Sequence, residues 1–367
     1  MLNPNAARVQ TEYERTENTL AEMTPDPMDF AGSVYPTQEV QSDINLLKNF
    51  KRTPEYRQNE ERSDARLLEK TFTSMVESDD WFSEEECYGD DENYRALITY
   101  PTAEIDDAFN HIDVIGMIGN EATDGEVMPF AIDLTYNTNH EKMLKKFRWR
   151  HVYGKKEAGE NVSEFGQDAI GANAQGRSFI KTQPLMLRQR YGLKIPGFAA
   201  AKYFEDKDNP YDPVREKGRI DLMPRFIVGY TPELAEALAH GAPTEEDRAR
   251  YGRKYFDEQQ REYASAKRCA KWCTLVECSA QATDLKMMLE NLDEDDTRWM
   301  RPEELANARR QAAAMERYFG RALDVATEKA AKSEEEAAAR NYANRDDVCR
   351  TILAQSSDTY VGMGWKK

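Results

Sequence analysis

Asn110-His111-Ile112-Asp113-Val114-Ile115-Gly116-Met117-Ile118, then a polar loop, then Pro129-Phe130-Ala131-Ile132-Asp133-Leu134-Thr135, are two apolar strand-like runs, each holding one aspartate. A carboxylate among Ile, Val, Leu and Phe is costly to bury as an anion unless a cation, a proton or hydrogen-bond donors offset the loss of water. Two such groups on neighbouring strands repel unless something positive lies between them, and a divalent metal is one solution. Register decides whether they meet. A two-residue Asp124-Gly125 turn sets Asp113 opposite Tyr136 and sends Asp133 to the other face, because side chains alternate with period two. A loop from Asn120 to Glu126 instead sets Gly119 opposite Val127 and Asp113 opposite Asp133. The loop is almost without apolar residues, which favours the second register. The competing reading is that each aspartate ends a strand and accepts from backbone amides.

Outward from this hairpin, the chain of 367 residues has room for one large or two smaller domains. A hydrophobic fraction of 40% supports a core, while 32% charged residues and a mean hydropathy of −0.82 point to long polar helices or tails. A net charge of −17 argues against polyanion binding over the whole surface, so nucleic-acid binding needs a local basic patch. Cys87, Cys269, Cys273, Cys278 and Cys349 lack paired zinc-site spacing and read as small packing residues in a reducing compartment. His111, His140 and His151 fit no zinc motif either. With no basic leader followed by an apolar core and no run of about eighteen apolar residues, a soluble cytoplasmic protein is expected.

Residues 1–60 are polar and proline-punctuated and read as an arm, partly disordered, with short helices near Ala6–Glu22 and Gln38–Asn49. Ser63 caps a helix carrying Leu67, Leu68, Phe72, Met75 and Val76 at helical spacing, ending near Ser78. Strands are expected over Ala96–Tyr100, His111–Ile118, Val127–Thr135, Phe198–Phe204 and Arg225–Gly229. A basic helix is expected over His140–Arg150, and a long loop over the glycine-rich stretch from Gly154 to Gly176. Thr231, Pro232 and Gly241 mark the cap, first turn and end of another helix. Beyond Pro243 the chain reads as wholly helical: a helical hairpin or coiled-coil extension over 242–367, following an α/β core over 61–241.

The order helix, strands, acid-bearing hairpin, helix, strands, helix resembles the α-β-β-β-α-β core of the restriction-endonuclease-like, PD-(D/E)xK, nucleases. The resemblance implies metal-dependent phosphodiester hydrolysis, with DNA as the favoured substrate and Mg²⁺ or Mn²⁺ as cofactor. It assigns Asp113 and Asp133 as metal ligands, with the Leu134 region supplying a carbonyl. Glu69 stands where several members carry a helix glutamate. The family's lysine position is held by Thr135, and Lys202, in Ala200-Ala201-Lys202-Tyr203-Phe204, is the leading substitute, ahead of Lys145 or Lys146. A tighter resemblance, over roughly residues 60 to 240, is to a divergent group of uncharacterised bacterial proteins. They share an Asp-Asp-x-x-Asn-x-x-Asp string (Asp106 to Asp113), Ile132–Thr135, Lys202–Phe204, and Pro224-Arg225 before Gly229.

Lys142, Lys145, Lys146, Arg148 and Arg150, with Phe147, Trp149 and Tyr153 interleaved, form a basic tract suited to a phosphate backbone. Equally, they form a solvated amphipathic helix with its aromatics turned inward. Asp106 and Asp107 read as turn and capping residues. Two functions stay open: a divergent metal-dependent nuclease, and a non-catalytic interaction or structural protein that holds partners, or a second copy, through its C-terminal helices.

Overall fold

The computed structural model describes residues 24–53, 71–73, 75–76, 95–119, 127–135, 170–172, 178–180, 195, 197–205, 217–239, 241–290, 292 and 301–355. A 3-10 turn at Pro27–Phe30 is capped by the Asp26 carboxylate, which accepts from the Met28 amide at 2.8 Å, and leads to α1 (Thr37–Lys51). Residues 71–73 and 75–76 are helical, and Phe72, Met75 and Val76 are buried, as their spacing predicts. Then come β1 (Arg95–Pro101), α2 (Glu104–Asn110), β2 (Val114–Gly119), β3 (Val127–Thr135), β4 (Ile170–Ala172), β5 (Ser178–Ile180), β6 (Phe198–Glu205) and β7 (Lys217–Gly229). The helices α3 (Pro232–Ala239), α4 (Glu245–Tyr251), α5 (Arg253–Glu290), α6 (Pro302–Ala330), α7 (Glu334–Ala343) and α8 (Asp347–Gln355) complete the described chain.

The fold is mixed α/β: a five-stranded sheet of order β1-β2-β3-β7-β6, followed by long C-terminal helices. The first three strands form an antiparallel meander, β7 runs parallel to β3, and β6 runs antiparallel to β7. Gly119 pairs with Val127 and Val114 with Ile132, the register expected from the longer loop. Alternation sorts the strands into two apolar faces. Val114, Ile118, Phe130, Ile132, Phe226 and Val228 pack against Trp272, Val276, Met315 and Phe319 of α5 and α6. Ile115, Met117, Ala131, Ala199 and Met223 form a second cluster with Tyr100 and Phe204. Phe130, Phe226 and Phe319 meet at centroid distances of 5.4–5.7 Å, geometry worth about 0.5–1.5 kcal/mol per pair beyond area burial. A Cβ on Gly116 would enter the Phe130 ring, so glycine is required there by packing.

Three expectations are corrected. Instead of projecting as an arm, α5 and α6 share one apolar cluster with the sheet, because the buried stripe of α5 continues through Ala270, Cys273, Ala280 and Ala282, small enough for close approach. The stretch expected as loop holds β4, which pairs with β5 just beyond it. And β7 starts at Lys217 rather than Arg225. Its first half is polar and interrupted by Pro224, and it accommodates an irregularity in the β6 pairing with Leu222 at φ 63°. The helix opening at Pro302 ends at Ala330, and Ser333 caps α7 by accepting from the Glu336 amide.

Pairing with β6 ends at Pro224, with the Arg225 amide donating to the Gly197 carbonyl at 3.0 Å just before β6, so among the described residues β3 is the strand neighbour of 226–229. Side chains of α5 close the other edge. Gln281 accepts from the Ile227 amide at 2.9 Å and donates to the Ile227 carbonyl at 2.7 Å, while Glu277 accepts from the Gly229 amide at 2.9 Å. Four helical residues advance about 6.0 Å and two strand residues about 6.6 Å, so a helix can mimic a strand over this distance. This clamp fixes the segment that presents Arg225.

Candidate functional site

The hairpin ends where β2 begins and β3 finishes, and both aspartates lie there. Asp113 lies one residue before β2, beyond the last printed pair, Val114–Ile132, at the end of the hairpin where Asp133 also lies. Its amide donates to the Ile132 carbonyl at 2.9 Å, and its Oδ2 accepts from the Leu134 amide at 2.5 Å. The carboxylate therefore takes the amide that a continued β2 would have paired. Thr102 completes the strand end: its hydroxyl donates to the Ile112 carbonyl at 2.6 Å, with the Asp113 carbonyl at 3.2 Å. Asp113 thus matches the reading in which an aspartate caps a strand.

Asp133 is buried on β3, and Oδ2 accepts from the Arg225 guanidinium of β7. Parallel pairing sets Ala131 beside Arg225 and Asp133 beside Ile227, so both charged side chains emerge on one face, two positions apart along the ladder. Ile227 is covered by Val348 and Ile352 of α8. The same two side chains come so close to Gly229 that a Cβ there would overlap them. Among the described residues, the apolar face of α8 formed by Val348 and Ile352 flanks the site.

Lys202 is placed elsewhere. It lies on β6, at the far edge of the sheet from β1, only 4% exposed, and its ammonium meets Asp43 Oδ2 and Glu39 Oε1 of α1 at 2.5 Å each. Asp106 is a cap, as expected, but of β6: its two oxygens accept from the Lys202 and Tyr203 amides, both at 2.9 Å. Burial pushes its carboxyl above the ordinary aspartate value, partly offset by those two amides and by Asn110. Glu69 and the tract Lys142, Lys145, Lys146, Arg148 and Arg150 lie outside the described residues.

One oxygen of Asp133 is held by a guanidinium, one oxygen of Asp113 by a backbone amide, and Leu134 contributes its N–H. Among the described residues no group of three or more His, Cys, Asp or Glu side chains could hold a metal. Arg225 was the residue that sequence reasoning left without a role. Its signal was present: an arginine inside Met223-Pro224-Arg225-Phe226-Ile227-Val228-Gly229 needs an anion as much as Asp133 needs a cation.

A second buried polar cluster lies behind the α5 clamp. Burial drives the Glu277 carboxyl well above its ordinary value, with Cys349 and Asp346 adding to the shift and the Gly229 amide opposing it. Asp346, raised chiefly by burial, caps α8 by accepting from the Val348 and Cys349 amides at 2.9 and 2.8 Å. Among the described residues no helix is long and apolar enough to cross a membrane. Comparison with protein-family models, with curated proteins and with solved structures returned no match for this chain.

Proposed function

We propose that this chain is a non-catalytic interaction or structural protein built on a restriction-endonuclease-like core. The observation that carries the reading is the Arg225 guanidinium on Asp133: the charge partner of the acid pair is a side chain of the protein itself. Two facts agree with it. Lys202, the one described candidate for the missing lysine, is committed to Glu39 and Asp43, and α8 fills the flank of the acid pair with Val348 and Ile352. The nuclease-like core is supported by the antiparallel β1-β2-β3 meander, by β7 parallel to β3, and by the helical residues preceding β1. Partner contact is assigned to the N-terminal end of α5. Its first thirteen residues, Arg253 to Ser265, include no buried position, yet carry Tyr255, Phe256 and Tyr263.

One observation favours the competing reading, a Mg²⁺- or Mn²⁺-dependent nuclease acting on DNA: Asp113 and Asp133 lie at the same end of the β2–β3 hairpin, just beyond the Val114–Ile132 pair. A single experiment separates the two. Full-length protein is incubated with plasmid DNA and Mn²⁺, beside the Asp113→Ala/Asp133→Ala variant, and Mn²⁺ is titrated into both by calorimetry. Equal background cleavage and no binding heat are expected. Cleavage by the wild type that the double variant lacks would overturn the non-catalytic reading.

A further inference from the structure

Glu277, behind the α5 clamp, is a buried acid that takes no part in the Arg225–Asp133 pair. Its side chain is 0% exposed, and its two oxygens are served unequally. Oε2 accepts from the Gly229 amide, while Oε1, also buried, accepts a hydrogen bond from no described group. The ionisable groups around it are Cys273 and Cys278 on its own helix, Tyr230 just beyond β7, Cys349 of α8, and Asp346 at the cap of that helix. None of these supplies a positive charge. Asp346 is better provided for, with the Val348, Cys349 and Thr231 amides and the Tyr342 hydroxyl as donors. An enclosed carboxyl with one amide donor, among acids and thiols, holds its proton, because the anion would exchange water for a single hydrogen bond.

Of the walls of this pocket, α8 is the most lightly held. The helix α5 shares the main apolar cluster with the sheet and α6, and β7 is bonded to β3 from Arg225 to Gly229. By contrast α8 has nine residues, and its buried side chains among those described are Val348, Cys349 and Ile352. Val348 and Ile352 cluster with Ile227 apart from the main core and press on Gly229, while the Cys349 thiol lies beside the Glu277 carboxyl. Elements with so few buried contacts open at a free energy below that of global unfolding.

We propose that α8 is a proton-latched lid: the neutral acid of Glu277 keeps it seated over Ile227 and Gly229, and loss of that proton releases it and uncovers the flank of the Arg225–Asp133 pair. Lifting α8 gives Glu277 water while α5 and the β7 edge stay in place. The direction follows from linkage. Seated, Glu277 keeps its proton well above the ordinary carboxyl range; with α8 lifted it ionises within that range. Opening therefore releases one proton, and between the two values it is favoured about tenfold more for each pH unit. The proposal does not depend on whether the acid pair is catalytic.

Hydrogen exchange on the full chain tests it, read by mass spectrometry from about pH 5.5 to 8 and corrected for the intrinsic hydroxide-catalysed rate. In the wild type, corrected exchange of α8 amides should quicken about tenfold per pH unit, while α6 amides show no such trend. Glu277→Gln should flatten the α8 profile, and Asp346→Asn, which keeps a capping oxygen, should leave its slope in place. Three results would each overturn the proposal: a flat α8 profile in the wild type, an undiminished slope in Glu277→Gln, or an equal slope in α6. Should Glu277→Gln fail to fold, Asp346→Asn decides, since a slope lost there assigns the proton to Asp346 instead.

Discussion

At the scale of single residues, charge inside an apolar sheet is tolerated only where its complement is adjacent. Arg225→Met leaves Asp133 without its described counter-ion, and stability should fall by about 2 kcal/mol, less than the 3–5 kcal/mol of a fully buried pair because Arg225 is 21% exposed. Replacing both partners, Arg225→Met with Asp133→Leu, should recover most of that in urea unfolding. A double variant as weak as the single would mean the pair is not the unit that matters. Glu277 behaves in the opposite sense to a salt-bridged acid. Its folded pKa is raised above the unfolded value near 4.5, so its contribution to stability is complete below that value and is lost as pH climbs through the raised one. Glu277→Gln keeps an acceptor for the Gly229 amide and abolishes the titration. The variant should therefore gain on the wild type as pH rises, in unfolding midpoints measured between pH 5 and 9. A pH-independent difference between the two would contradict a protonated Glu277.

Elements meet where ordinary pairing runs out. The β7 segment beyond Pro224 is completed by Gln281 and Glu277, so Gln281→Leu strands both the amide and the carbonyl of Ile227. At about 1–3 kcal/mol per buried unsatisfied group, a loss of roughly 3 kcal/mol is expected, with faster exchange of the Ile227 amide ahead of the rest of β7. Unchanged exchange would show that the helix does not hold this edge. Gly116→Ala drives a methyl into a ring already packed on Phe226 and Phe319. Overpacking of this kind costs about 1–3 kcal/mol, readable as a lower thermal midpoint. Strand positions at Val127–Thr135 and Phe198–Glu205 were legible from apolar runs and polar boundaries, and the Thr231–Pro232 helix start from its capping chemistry. β4, β5 and the polar half of β7 were not. Short or polar strands take their conformation from neighbours distant in sequence, and no local pattern records those neighbours.

For the whole molecule the decisive fact is one apolar cluster running from Phe72 through β2, β3 and β7 into α5, α6 and α7. A fragment ending at Gly241 would expose Phe130, Ile132, Phe226 and Val228. It is expected to lose cooperative unfolding by near-ultraviolet circular dichroism, even with its strands intact in sequence. A cooperative transition in that fragment would show instead that the helices are a separable layer.

From the sequence alone followed the α/β class, the hairpin register that sets Gly119 opposite Val127, and the helix start at Thr231. Each rests on the alternation, caps and polar loops of neighbouring residues, whose effects act within a few positions along the chain. Only tertiary structure decided what the embedded charges face: Arg225 for Asp133, the Leu134 amide for Asp113, and Asp43 with Glu39 for Lys202. Lys202 and Asp43 are separated by 159 positions. Coulombic and hydrogen-bond energies depend on distance through space, so a lysine that reads as a catalytic substitute in one dimension becomes, in three, the counter-ion of a helix at the other end of the chain.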